Sequence, residues 1–156
     1  MYENINSKEQ LIAFILEIRE TLDMLVNNIT LLIPKRKDMH GLLKNAWGEV
    51  YVAFDNSIKQ LNRIPNEKIE KEGLSGYQLQ LKLSEYSWRK ERLNRIWNNS
   101  YNSSLRIGRP KLNIVRKAIS RLLKAIDNIL DSLSNVVPPL HAIKEIKDTL
   151  DSIISG

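Results

Sequence analysis

His40 and His141 are the only histidines in the chain. His141 and Glu145 stand four residues apart, a spacing that puts two potential metal ligands on one helical face. A metal centre inside a helical bundle draws carboxylates and histidines inward from several helices, and a single pair does not supply that. The absence of cysteine removes disulfides, thiol nucleophiles and Cys-based zinc sites. No phosphate-cradling glycine loop, nucleophile elbow or paired-carboxylate motif occurs. The expectation is a protein that is not an enzyme and holds neither metal nor cofactor.

Charge is the remaining chemistry. The chain carries a net +6 over 156 residues, and the excess is uneven. Residues 1–33 hold two basic and five acidic side chains, a net of −3. Residues 76–124 hold twelve basic side chains against Glu85 and Glu91, a net of +10. A concentrated basic block favours an anionic partner: nucleic acid, an anionic membrane surface or an acidic protein.

The elements that must position this charge are helices. Leu11, Ile15, Ile18, Leu22, Leu25, Ile29 and Leu32 repeat at intervals of four and three, as do Leu112, Val115, Ile119, Leu122, Ile126, Ile129, Leu133 and Val136. Such seams belong to long helices packed side by side. The first helix is expected from Ser7, an N-cap in a capping box with Gln10, to Ile33 before Pro34. The second, capped by Asp38, carries Leu43, Trp47, Val50, Phe54, Ile58 and Leu61 inward and ends before Pro65. After a polar connection, the box Ser75-Gly76-Tyr77-Gln78 opens a third helix with Leu79, Leu83, Tyr86, Leu93 and Trp97 inward and Lys90 as an interruption. Residues 98–108, rich in Asn and Ser, read as a loop. Pro110 suits the first turn of the fourth helix, which stops at Pro138-Pro139. A shorter fifth helix places Leu140, Ile143, Ile146, Leu150 and Ile153 inward, and is expected to lie across the bundle or to serve another subunit.

The fold expected is therefore all-α, a single domain over residues 1–156: four long antiparallel helices in up-down-up-down order plus a shorter C-terminal helix. That topology brings two turns to one end. Lys35, Arg36 and Lys37 lie in the first; Arg106, Arg109 and Lys111 lie in the second, with Arg92, Arg95, Arg116 and Lys117 just below. Trp97 and Tyr101 sit beside them. Basic residues interleaved with aromatics suit a phosphate backbone and unstacked bases. The reading is an accessory protein whose basic pole engages nucleic acid, RNA or single strands without sequence specificity. The alternative is a helical adaptor docking on a protein partner or an anionic membrane. Leu16, Met24 and Leu31 fall off the main stripe of the first helix and are candidates for a protein interface, through a partner or self-association.

The tetrapeptide Gly108-Arg109-Pro110-Lys111 resembles the core of an AT-hook, a minor-groove peptide built on Gly-Arg-Pro, although Ile107 stands where that motif carries arginine. The same residues also read as a loop end followed by a helix start. Ile33-Pro34-Lys35-Arg36 between two amphipathic helices resembles the accessory variability proteins of diversity-generating retroelements, which implies a small basic bundle that oligomerises and binds RNA. The 2–3 connection and the fifth helix depart from that pattern. The Arg-x4-His signature of HEPN ribonucleases is absent: Gly41 follows Arg36 at that spacing, and Val136 precedes His141. No stretch approaches the ~18 apolar residues of a membrane span, and no signal peptide is visible, so a cytoplasmic location is expected.

Overall fold

A computed structural model describes residues 8–32, 35–65, 67, 77–107, 112–134, 137 and 140–155. Among these there is no strand. The helices are α1 (Lys8–Asn27), α2 (Ile29–Leu32), α3 (Lys37–Asn62), α4 (Tyr77–Ile107), α5 (Leu112–Leu133) and α6 (Leu140–Ser155). The all-α bundle with four long helices and a shorter last one is as the periodicity predicts. Both seams are its core: Leu11, Ile15, Ile18, Leu22, Leu25 and Ile29 of α1, and Val115, Ile119, Leu122, Ile126, Ile129 and Leu133 of α5, are buried.

Cross-helix contacts set the directions. Lys8 Nζ donates to the carbonyl of Asn62 at 3.1 Å, and Trp47 Nε1 donates to Asp23 Oδ1 at 2.6 Å, so α1 and α3 run antiparallel. Phe14 meets Tyr86 edge-on at 5.4 Å and Glu17 pairs with Lys90 at 2.7 Å, so α4 runs parallel to α1. Lys82 reaches Ser132, while Arg92 and Ile96 face Lys117 and Ala118, so α5 runs antiparallel to α4. The alternation up-down-up-down holds. Lys90, the interruption in the third stripe, is accommodated by Glu17 of the neighbouring helix.

The ring order differs from a simple bundle. The fifth helix neither crosses the bundle nor stands apart. It packs lengthwise between α5 and α3, and the order around the ring is α1, α3, α6, α5, α4. The seam of α5 is accordingly wider than a two-neighbour stripe: Ala118, Leu123, Ala125 and Leu130 are buried as well. Asp127 and Asp131 of α5 are occupied by α6. Lys144 pairs with Asp131, and Lys147 lies 3.2 Å from Asp127 and 2.6 Å from Asp148. Lys147 is only 4% exposed. Asp127→Ala leaves that buried ammonium with only the exposed Asp148 as a partner and should cost about 1–3 kcal/mol in denaturant unfolding. Lys147→Met keeps the apolar stem and leaves a wetter carboxylate beside Lys144; it should cost less than about 1 kcal/mol, because removing a buried charge is gentler than removing its partner.

Three local expectations are corrected. The first helix does not run unbroken to Ile33. It turns at Asn28, whose side-chain amide takes the Met24 carbonyl at 2.8 Å, before the short α2. The Asn28 backbone N–H keeps its own bond to that carbonyl at 3.1 Å, so the side chain shares the acceptor with it. Asp38 is not the cap of α3. Arg36 occupies that position without a side-chain cap, and Asp38 sits in the first turn, 3.3 Å from the Arg36 guanidinium. That hydrogen bond lowers the Asp38 carboxyl pKa below its usual value. Residues 98–107 are helix rather than loop, because no Pro or Gly interrupts the chain between Tyr77 and Ile107. Helix α4 is then 31 residues, about 46 Å long at 1.5 Å per residue. Ser7, Ser75, Gly76, Pro34, Val136, Pro138 and Pro139 lie outside the described residues, as do the side chains of Leu32, Leu79, Leu112, Ile146 and Ile153.

One polar chain crosses the core. The Thr21 hydroxyl lies 2.9 Å from the Glu17 carbonyl and 2.9 Å from the Tyr86 hydroxyl. Thr21 has one proton and gives it to the carbonyl, so Tyr86 donates to Thr21. Burial raises the Tyr86 pKa well above its ordinary value of 10.0, and the charges of Glu17 and Glu20 push the same way. A raised tyrosine pKa favours folding fully below the unfolded value. Above about pH 10 the unfolded chain loses the proton first, and stability falls by up to ~1.4 kcal/mol per pH unit. Tyr86→Phe should therefore be less stable than wild type by about 0.5–1.5 kcal/mol at neutral pH. The gap should narrow above pH 10 in parallel urea titrations.

Candidate functional site

Most cations on the inner edges of the helices have acidic partners. Arg19 pairs with Asp55 at 2.5 Å and lies 4.4 Å over the Tyr51 ring; Lys90 is held by Glu17, and Lys144 and Lys147 by the acids of α5 and α6. Exposed cations without an ion pair also occur elsewhere among the described residues, Lys44, Lys59 and Arg63 for example, but along α4 and α5 they cluster. Among the described residues, Arg89, Arg92, Arg95, Arg116, Lys117, Arg121 and Lys124 make no ion pair.

Helical spacing gathers these groups. Arg89, Arg92 and Ile96 lie along the α5-facing edge of α4, three or four residues apart. Ile114, Lys117, Ala118 and Arg121 answer them from α5. Together they line a shallow groove of about 170 Å³ whose walls hold four cations and no carboxylate. A water occupies roughly 30 Å³ of liquid, so the groove has room for several waters or a small anionic group. Its floor is apolar: Ile96 is half-buried and Ile114 is 49% exposed. Arg89 Nε is buried in the groove wall without an acceptor in the protein. Beside the groove stands Trp88, 48% exposed, with the Arg89 guanidinium 4.6 Å and the Arg92 guanidinium 5.5 Å from its ring centre. These are cation–π distances.

The residues proposed from sequence do not gather at one place. Arg92, Arg95 and Lys117 are exposed on the flank; Arg92 and Lys117 line the groove, and Arg116 sits half-buried on α5 with its Nε buried and without an acceptor. Lys35, Arg36 and Lys37 are exposed at the α1–α3 turn, at the end toward which α4 runs, with Arg36 engaged by Asp38. Arg109 and Lys111 lie outside the described residues, as do the side chains of Tyr101 and Arg106, although α4 includes both positions. Trp97 is half-buried against the core, and among the described side chains of this helix the aromatic that faces solvent is Trp88. Leu16 is half-buried, Met24 is 38% exposed, and the side chain of Leu31 lies outside the described residues.

Arg89 and Arg121 belong to the basic block and Trp88 to the helix leading to the pole, but none of the three was among the site residues proposed from sequence. Trp97 continues the stripe of Leu83, Tyr86 and Leu93, whereas Trp88 stands off it. Arg89 and Arg121 also stand at helical spacing from Arg92 and Lys117.

The metal-ligand pair has no support from a larger cluster: among the described residues no group of three or more His, Cys, Asp or Glu is placed to hold a metal ion. The side chains of His141 and Glu145 are outside the described set, and His40 is half-buried in the first turn of α3. No described helix is long and apolar enough to cross a membrane. Compared with protein-family models, curated proteins and solved structures, the chain matches none of them. The functional reading therefore rests on the geometry of this face.

Proposed function

We propose that the protein is a non-enzymatic nucleic-acid-binding accessory protein, and that its binding face is the α4–α5 flank. One observation supports this above the rest: the groove between the two helices has four cations and no carboxylate, while the ion-paired cations lie elsewhere in the bundle. Arginine suits this role because its planar fork of donors takes phosphate oxygens two at a time and is more weakly hydrated than an ammonium. Lys35 and Lys37 would extend the field toward the end of the bundle.

Phosphate neutralisation has a measurable signature. Each neutralised phosphate releases counterions, so log affinity should fall linearly with log salt, by about 0.7 per contact on a single strand and 0.9 on a duplex. Three to five contacts predict a slope between roughly −2 and −4.5. Fluorescence anisotropy with a labelled oligonucleotide between 25 and 300 mM salt, at concentrations on the order of the non-specific dissociation constants, tests it. A slope near zero, or no binding at the lowest salt, would refute the proposal and favour a helical adaptor for a protein partner.

A further inference from the structure

The same flank carries a feature that phosphate binding does not require. Trp88 holds its indole on the solvent side of α4, nearly half exposed, one turn from Arg92 and beside the groove. It packs no core: the stripe of Leu83, Tyr86 and Leu93 is buried on the opposite side of the helix. Two guanidiniums lie within cation–π range of its ring. Arginine stacked on an aromatic keeps its in-plane N–H donors available, so the same side chain can support the ring and bind a phosphate. The exposed Ile114 adds an apolar contact across the groove.

A duplex presents phosphates and base edges but keeps its base faces stacked inside, where an indole on the convex side of a helix cannot reach them without unstacking a step. An unpaired nucleotide offers its face freely, and base–aromatic stacking tolerates any sequence. An acidic protein surface would satisfy the cations and leave the indole without its counterpart.

We infer that the ligand of this face is single-stranded nucleic acid, with one unpaired base stacked on Trp88 and the adjoining phosphates held between Arg92 and Arg121. The inference rests on the proposed function above and adds the substrate class.

The test compares wild type, Trp88→Leu and Trp88→Tyr against a labelled mixed-sequence single strand and the duplex of the same sequence. Trp88 is a surface residue, and circular dichroism verifies that each variant is folded. Stacking contributes about 1–3 kcal/mol per base, so Trp88→Leu should weaken single-strand binding by roughly 5–150-fold. Duplex binding should change less than about twofold, the scale of an ordinary surface substitution, and Trp88→Tyr should retain most of the single-strand affinity. Tryptophan emission should be quenched by the single strand in wild type and not in Trp88→Leu. Equal single-strand affinity of wild type and Trp88→Leu, or a duplex that competes as well as the single strand, would overturn the inference. If affinity in that case still falls steeply with salt, the phosphate-binding reading survives. No binding of either nucleic acid by wild type at low salt overturns both.

Discussion

Replacing Arg92, Lys117 and Arg121 together with glutamate should abolish nucleic-acid binding at physiological salt. All three line the groove, and none has an acidic partner among the described residues, so the substitutions break no ion pair of the fold. Losing three phosphate contacts on a single strand reduces the salt slope by about 2. Between 1 M salt, where such contacts contribute little, and 0.1 M, that is about a 100-fold loss. Charge reversal adds repulsion to the loss. The matched control is Lys44 and Lys59 of α3 and Arg63 at its C-terminal cap to glutamate, across the ring from the α4–α5 edge, which makes the same change in net charge at exposed positions. Lys144 and Lys147 would be a poor control despite their distance from the flank, because both bind acids of α5 and their loss would disturb the packing of α6. A further triple at Arg106, Arg109 and Lys111 asks whether the α4–α5 turn shares the ligand. Equal losses from the flank triple and the α3 triple would reduce the interaction to general attraction by net charge. The measurement is anisotropy at two salt concentrations for all variants.

Ile119→Ala should destabilise the bundle more than any exposed substitution. Ile119 is fully buried in the middle of α5, the helix that packs against both α4 and α6. Truncations of this kind cost ~2–5 kcal/mol, the transfer of the lost methyl groups plus the cavity left behind. For a chain of 156 residues, this corresponds to a fall in Tm of roughly 4–20 °C. Leu22→Ala on α1, equally buried, should fall in the same range. Leu42→Ala is the contrasting case: Leu42 is 61% exposed, and its truncation should stay within about 0.5 kcal/mol of wild type. A melting temperature for Ile119→Ala within a degree of wild type would mean that the α5 seam does not form the core.

The long helices were legible because burial repeats along them. A stripe spaced three and four residues apart is a direct imprint of a buried helical face, and Leu11 through Ile29 and Val115 through Leu133 are buried as their spacing requires. Which helices sit side by round the ring was not legible, since a stripe records that a face is covered and not by what. The buried Leu123 and Leu130 beside the main seam of α5 were the available sign of a second neighbour. The end of α4 was misread for a different reason. Asn and Ser favour loops through local hydrogen bonds that compete with the helix, but the preference is small, and α4 continues through them to Ile107. For the candidate face, the overall charge block was visible in composition. The groove was not, because it needs the register of α4 against α5, which joins Arg92 to residues 117 to 121.

The position of α6 has a consequence for how the protein is made. Helix α3 ends at Asn62 and the helix that covers part of it begins at Leu140. At synthesis rates of about 5–20 residues per second, the intervening chain takes roughly 4–16 s to emerge from the ribosome. For that interval an N-terminal hairpin can fold while one of its apolar sides waits for a neighbour that does not yet exist. Once α5 has appeared, its outer apolar edge around Leu123 and Leu130 waits as well. Helix α6, translated after the other described helices, is thus the one that closes both gaps, and a ribosome stalled before residue 140 would hold a sticky, unfinished ring.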